Sequence, residues 1–243
     1  MLPDRPISAS LHAYLTLRDR IISLDLKPGS PVGEQALADL LGVSRSPVRE
    51  ALSRLSSEGL IDSYSRGGTV VSPIRLDAVA SAQFVRETLE VEIIREAALL
   101  GGPSHLFSVQ QAIAEQEFAV GQTDTGGFFA ADERMHGVFS TIARRSLVWP
   151  IIADAKRHMD RLRRLSIQMA DLGELVADHR LILGAIEARD PDAAERAMRQ
   201  HLRRAMRQLP DLVSRFGEFI EGTDTVDAIL ELLDSQGGRH GQA

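Results

Sequence analysis

The chain has 243 residues, 44% of them hydrophobic and 26% charged, a size and balance that allow one large core or two modest ones and exclude a disordered chain. It carries no cysteine, which rules out disulfides and thiolate metal sites. No apolar run approaches the roughly 20 residues of a membrane span. The first residues also lack the basic segment and apolar stretch of a secretory signal, so the expected compartment is the cytoplasm and no membrane is expected as a partner. The charge is uneven: residues 1 to 75 hold nine Arg/Lys against eight Asp/Glu, the remainder nineteen against twenty-six. That asymmetry permits a nucleic-acid contact at the N-terminal end without demanding one.

In chain order, Leu11, Tyr14, Leu15, Ile21 and Ile22 recur near the 3.6-residue period and predict a helix that Pro28-Gly29 breaks. Leu37, Leu40 and Leu41 predict a second, shorter helix ended by Gly42 in the left-handed conformation. A third opens at Ser44 as cap, with Pro47 in its first turn, and stops at Gly59. Tyr64, then Arg66-Gly67-Gly68, then Thr69-Val70-Val71 read as two short strands around a glycine turn. Helix, helix, turn, helix, hairpin is the order of a winged helix-turn-helix, and Ser72-Pro73 closes it.

Beyond Pro73 no strand signal is found and an all-α bundle of six or seven helices is expected, making the fold class mainly α. Val85, Leu89, Ile93 and Ala97 form a ladder ending at Gly101-Gly102-Pro103, and Leu106, Val109 and Ile113 mark the next helix. Phe128, Met135, Phe139 and Ile142 define another, which Trp149-Pro150 is expected to break. Ile152, Met159 and Leu162 follow, then Leu172 to Ile186, then a long helix opened by Asp190-Pro191. Val226, Ile229, Leu230 and Leu233 suggest a short amphipathic helix before a frayed tail. The expected domains are residues 1–73, 74–221 and 222–243.

Two groups of residues point to chemistry. In the third helix Val48, Ala51, Leu52 and Leu55 face inward, while Arg45 and Arg49, four apart, project from one side with Ser46 and Ser53 nearby. Guanidinium forks and hydroxyls there suit the edges and phosphates of a nucleic-acid groove, and Arg66 beside Gly67-Gly68 places a cation at the hairpin tip. In the bundle, Asp132 and His136 fall on the apolar stripe of their helix, as do His179 and His201 on theirs. A buried aspartate and three inward histidines need partners, and a divalent metal meets that need. Such ligands suit zinc first, with nickel, iron and manganese as alternatives, and leave coordination positions open. Glu133 and Asp178 adjoin these positions but point at other angles, so neither is a convincing general base. No nucleophile elbow, Walker loop or dinucleotide fingerprint is present, and an enzyme is not expected.

The run Glu34-x-x-Leu37-Ala38-x-x-Leu41-Gly42-Val43-Ser44-Arg45-x-Pro47-Val48-Arg49-Glu50-Ala51-Leu52 resembles the winged-helix signature of GntR-family transcription regulators. Arg86-Glu87-x-Leu89-Glu90, Asp132-x-x-x-His136, and His179 with His201 resemble the FCD ligand-binding domain of the FadR-like subfamily. The resemblance implies that Arg45 and Arg49 contact operator DNA, with Ser46, Gln35, Arg66 and Gly68 as further DNA-binding residues. It also implies that Asp132, His136, His179 and His201 bind one divalent transition metal per chain, and that Arg86 contacts the carboxylate of a small organic acid or sugar acid effector. Gln35 stands where some acyl-CoA-responsive relatives have a DNA-reading arginine. The implied assembly is a homodimer on pseudo-palindromic double-stranded DNA, acting as a repressor. The competing readings are a regulator for which the ion itself is the effector, and a metal-dependent hydrolase or isomerase fused to a DNA-binding head.

Overall fold

Residues 7–65 and 68–237 are described by the computed structural model, and the chain divides into two units, Met1–Arg75 with Gly217–Glu221 and Leu76–Phe216 with Gly222–Ala243. In the first unit, α1 (Ala9–Ile22), α2 (Glu34–Leu41) and α3 (Arg45–Ser57) precede β1 (Ile61–Tyr64) and β2 (Gly68–Val71). The strands pair antiparallel from Ile61↔Val71 to Tyr64↔Gly68. Local chemistry sets these boundaries. The Ser8 hydroxyl accepts the Leu11 N–H at 3.1 Å to start α1, and Gly42 at φ 65° ends α2 in the left-handed region that glycine enters without strain. Ser44 occupies the N-cap of α3 with extended backbone, as expected, but its hydroxyl makes no capping hydrogen bond.

The face of α3 predicted to point inward does so: Val48, Ala51, Leu52 and Leu55 are buried against Ala13, Leu17 and Ile21 of α1 and against Leu60, Ile61 and Val71. Each fully buried leucine of this kind contributes about 1.5–3 kcal/mol over its exposed state. That core is what holds the opposite face of α3 rigidly toward solvent.

The second unit contains α4 (Leu76–Leu100), α5 (Pro103–Gly121), α6 (Thr125–Ile142), α7 (Trp149–Ala155), α8 (Arg157–Ser166), α9 (Leu172–Glu187), α10 (Pro191–Arg207), α11 (Leu209–Phe216) and α12 (Val226–Gly237). The seven helices α4 to α10 form the expected bundle, and Phe128, Met135, Phe139, Ile142, Ile182, Ile186 and Met198 fill its centre. Asp190 caps α10 by accepting the N–H groups of Asp192 and Ala193, with Pro191 opening the helix.

Four details depart from the sequence reading. Trp149-Pro150 opens α7 and does not break α6, which ends before Arg144 at φ 59°; proline suits a first turn because its missing N–H has no partner there anyway. The stretch predicted as one helix through Met159 is two, α7 and α8, parted at Lys156. Strand structure also exists beyond Pro73: β3 (Ile74–Arg75) pairs in parallel with β4 (Ile220–Glu221). Two-residue strands have no periodicity to read, and this ladder is why Gly217–Glu221 counts with the first unit, whereas the sequence division runs at 73 and 221. Finally, of the expected α4 ladder Ile93 and Ala97 are buried, but Val85 and Leu89 do not mark the buried face. Gln83, Arg86, Glu87 and Glu90 lie inside while Val85 and Leu89 are half-buried, because these polar groups find ionic partners among one another and on α10.

Candidate metal centre and nucleic-acid interface

The helical unit brings together the four residues expected to bind metal. Asp132 and His136 share one face of α6, four residues apart, and meet His179 from α9 and His201 from α10; all four are buried. One potential ligand atom from each lies within 4.8 Å of all the others. His136 Nε2 is 3.2 Å from His201 Nε2 and 3.7 Å from Asp132 Oδ1, and His179 Nε2 is 3.2 Å from the same carboxylate oxygen.

The outward atoms of these side chains decide whether the set suits a cation. His136 Nδ1 stands 2.5 Å from the Glu90 carboxylate, and His179 Nδ1 stands 2.5 Å from Gln116 Oε1. An acceptor on Nδ1 places the proton there and turns the Nε2 lone pair inward, the arrangement that metal-binding imidazoles use. His136 Nε2, turned inward in this way, meets His201 Nε2 at 3.2 Å, and in a dry interior a proton or a cation must lie between them. Burial pushes the His179 and His201 imidazoles below the ordinary histidine range, only partly opposed by Asp132, so they stand neutral, the ligand form. Burial alone would raise the Asp132 carboxyl, but Arg163 and the imidazoles outweigh it and hold it ionised. Three imidazole nitrogens and one carboxylate oxygen, all desolvated, fit a first-row divalent metal.

Sequence reasoning missed the groups that hold these ligands. Arg163 of α8 pairs with Asp132 and, at 2.9 Å, with Glu133. Gln116 is fully buried, and its place after Val109 and Ile113 on the apolar stripe of α5 was a readable signal. Glu90 lies four residues after Arg86 and accepts its Nε–H at 2.6 Å. Burial would raise Glu90, but Arg86 and His136 hold it down at about 2. Glu133 and Asp178 are engaged elsewhere: Glu133 accepts from buried Lys156 at 2.7 Å, and Asp178 accepts from Arg204 and Gln200.

Arg86, the expected effector contact, is 2% exposed and one of its terminal nitrogens, Nη2, has no hydrogen-bond partner among the described residues. It lines a small cavity of about 30 Å³ together with Asp132, Arg163 and His201. A guanidinium with an unspent donor is the group that pairs with carboxylate oxygens.

In the first unit, Arg45 and Arg49 are exposed on α3, with Ser46 and Ser53 exposed beside them. Both guanidiniums donate to Glu34, the first residue of α2, a partner that sequence reasoning missed. Gln35 is exposed next to it and donates to Asp39 at 2.8 Å. Gly68 starts β2 at φ 78°, and Arg66 lies outside the described residues. A groove lined by Arg49, Ser53, Ser56, Ser63 and Thr69 runs between α3 and the hairpin; its hydroxyls and cation suit phosphate and base edges.

The family model described as "Bacterial regulatory proteins, gntR family" matches residues 9–71, and that of the FCD domain matches residues 83–204. The HTH-type transcriptional repressor RspR of Escherichia coli K12 is 33% identical over 201 residues, 82% of this chain and 87% of that protein. An HTH-type regulator encoded in an unstable DNA locus of Streptomyces ambofaciens is 36% identical over 191 residues, 78% and 80% of the two chains. Among solved structures, Escherichia coli McbR/YncC superposes with a TM-score of 0.72 at 19% identity, over 86% of this chain and 99% of that one, which is a likeness of fold. Among the described residues no helix is long and apolar enough to cross a membrane.

Proposed function

Since the chain belongs to the gntR family of bacterial regulatory proteins and carries its FCD domain, a family of transcription regulators and not of enzymes, we propose that it is a cytoplasmic repressor whose operator affinity is set by a small organic acid bound beside a divalent metal. The observation that carries this reading is the convergence of four buried ligand atoms within 4.8 Å at a cavity into which Arg86 also faces. Asp132, His136, His179 and His201 hold the metal, zinc in the first instance. When bound, it supplies a Lewis-acidic point for an effector oxygen, while Arg86 Nη2 pairs the effector's carboxylate. The repressor sign follows the name of RspR. A homodimer on a pseudo-palindromic operator supplies two copies of α3, with Arg45, Ser46 and Arg49 in the major groove and Gln35, Gly68 and Arg66 as further DNA contacts.

Regulation requires that the effector bind the DNA-competent and DNA-incompetent arrangements with different affinity; equal affinity shifts nothing. The test is elemental analysis of the purified protein together with operator binding in the presence of small hydroxy and sugar acids. The expected result is about one transition-metal equivalent per chain, lost in His136→Ala and His201→Ala, and an acid response lost in Arg86→Lys with metal content retained. A protein free of metal after reconstitution sinks the reading. A graded response to metal alone, with no acid required, replaces it with the ion as effector.

A further inference from the structure

We propose that Glu34 is a specificity-determining residue of the DNA-reading face: its carboxylate presents Arg45 and Arg49 in one geometry and repels phosphate from them, so that binding to non-operator DNA is suppressed. This rests on the reading of Arg45 and Arg49 as DNA contacts.

Glu34 lies eleven and fifteen residues before the two arginines and on a different helix, yet it accepts from both. Arg49 donates Nε–H to Oε1 and Nη2–H to Oε2, each at 2.8 Å, and Arg45 donates Nη2–H to Oε2 at 3.0 Å. The Arg45 and Arg49 side chains remain 57% and 67% exposed while the Glu34 side chain is 28% exposed, so the acid sits behind and the cations in front. A guanidinium has five N–H donors. Arg49 spends only the Nε side on Glu34, and its Nη1/Nη2 edge stays open, the edge that pairs bidentately with guanine O6 and N7.

Two consequences follow from charge and entropy. The cluster carries a net charge of +1, where two unpaired arginines would carry +2. Phosphate contacts that depend on charge alone are thereby weakened, whereas a base edge matched to the open fork is not. Two long side chains are also ordered before DNA arrives, which lowers the cost of ordering them in the complex. The carboxylate is available for this throughout the physiological range, since hydrogen bonds from Arg49 and Arg45 hold it at about 2.

The test compares wild type, Glu34→Gln and Arg49→Ala on two probes: a duplex selected by the wild-type protein from a random library, and a scrambled duplex of the same composition. Glu34→Gln is expected to bind the scrambled duplex roughly three- to eightfold more tightly at 0.1 M salt, with a log–log salt slope steeper by about 1, and to show a lower ratio of selected to scrambled affinity. Unchanged scrambled-duplex affinity and slope overturn the proposal. So does equal weakening on both probes, the result for a residue that merely supports the fold, with circular dichroism and melting temperature as the check. Arg49→Ala reports on the underlying reading separately. If it leaves selected-duplex affinity and slope unchanged, the assignment of α3 fails, whatever Glu34→Gln does.

Discussion

The Nε2 atoms of His136 and His201, sixty-five residues apart in the chain, face each other at 3.2 Å in the interior of the helical unit. His179 closes the third side, its ring centroid 4.5 Å from that of His201. In a dry interior two imidazole nitrogens at this distance need a proton or a cation between them. Their outward nitrogens then matter as much as the inward ones, because they decide which tautomer each ring adopts.

Gln116→Leu tests that dependence. It removes the acceptor of His179 Nδ1 without touching a ligand, and metal affinity is expected to fall about 10- to 100-fold while the fold is kept. Competition against a chelator of known affinity measures it; an unchanged dissociation constant would mean that His179 is oriented by packing alone.

Arg163→Leu tests the electrostatic support of the site. The guanidinium, 10% exposed, pairs with Asp132, Glu133 and Asp160, and its removal leaves buried carboxylates short of a cation. The expected cost is about 3–5 kcal/mol in chelated protein, read by urea unfolding. The cost should be smaller with metal present, because a divalent cation takes over compensation of Asp132. Equal costs in both states would show that the metal does not sit at Asp132.

The pH dependence of the chelated protein has a definite sign. Burial depresses His179 and His201 in the fold, so below about 6.5, the unfolded value, the unfolded chain binds protons that the native one refuses. Stability is therefore fully present above about pH 6.5 and declines as pH falls through the folded values. Glu90, held at about 2 against burial by Arg86 and His136, adds a second decline that begins near its unfolded value of about 4.3 and runs down to its folded one. Melting temperature in chelator should be flat from pH 8 to 7 and fall in two stages below. A melting temperature constant from pH 8 to 5 would contradict the buried neutral imidazoles.

What the sequence determined by itself is whatever short-range chemistry encodes. The winged unit is legible because the 3.6-residue spacing of Val48, Ala51, Leu52 and Leu55, the left-handed Gly42 and the two short strands around the glycine turn are each readable within a few positions. The four candidate ligands are legible for a related reason: a polar residue on an apolar stripe announces a buried partner before the partner is known. Only the tertiary structure decided who the partners are. Glu90, Gln116 and Arg163 come from three different helices, and no spacing along the chain links them to His136, His179 and Asp132. The same holds for Glu34, whose grip on Arg45 and Arg49 depends on how α2 crosses α3. It holds again for α4, where Ile93 and Ala97 of the expected ladder are buried but Arg86, Glu87 and Glu90 lie inside while Val85 and Leu89 do not, because Arg199 and Arg203, more than a hundred residues later, neutralise Glu87. Burial of charge is a property of pairs, and a pair distant in sequence exists only once the chain has folded.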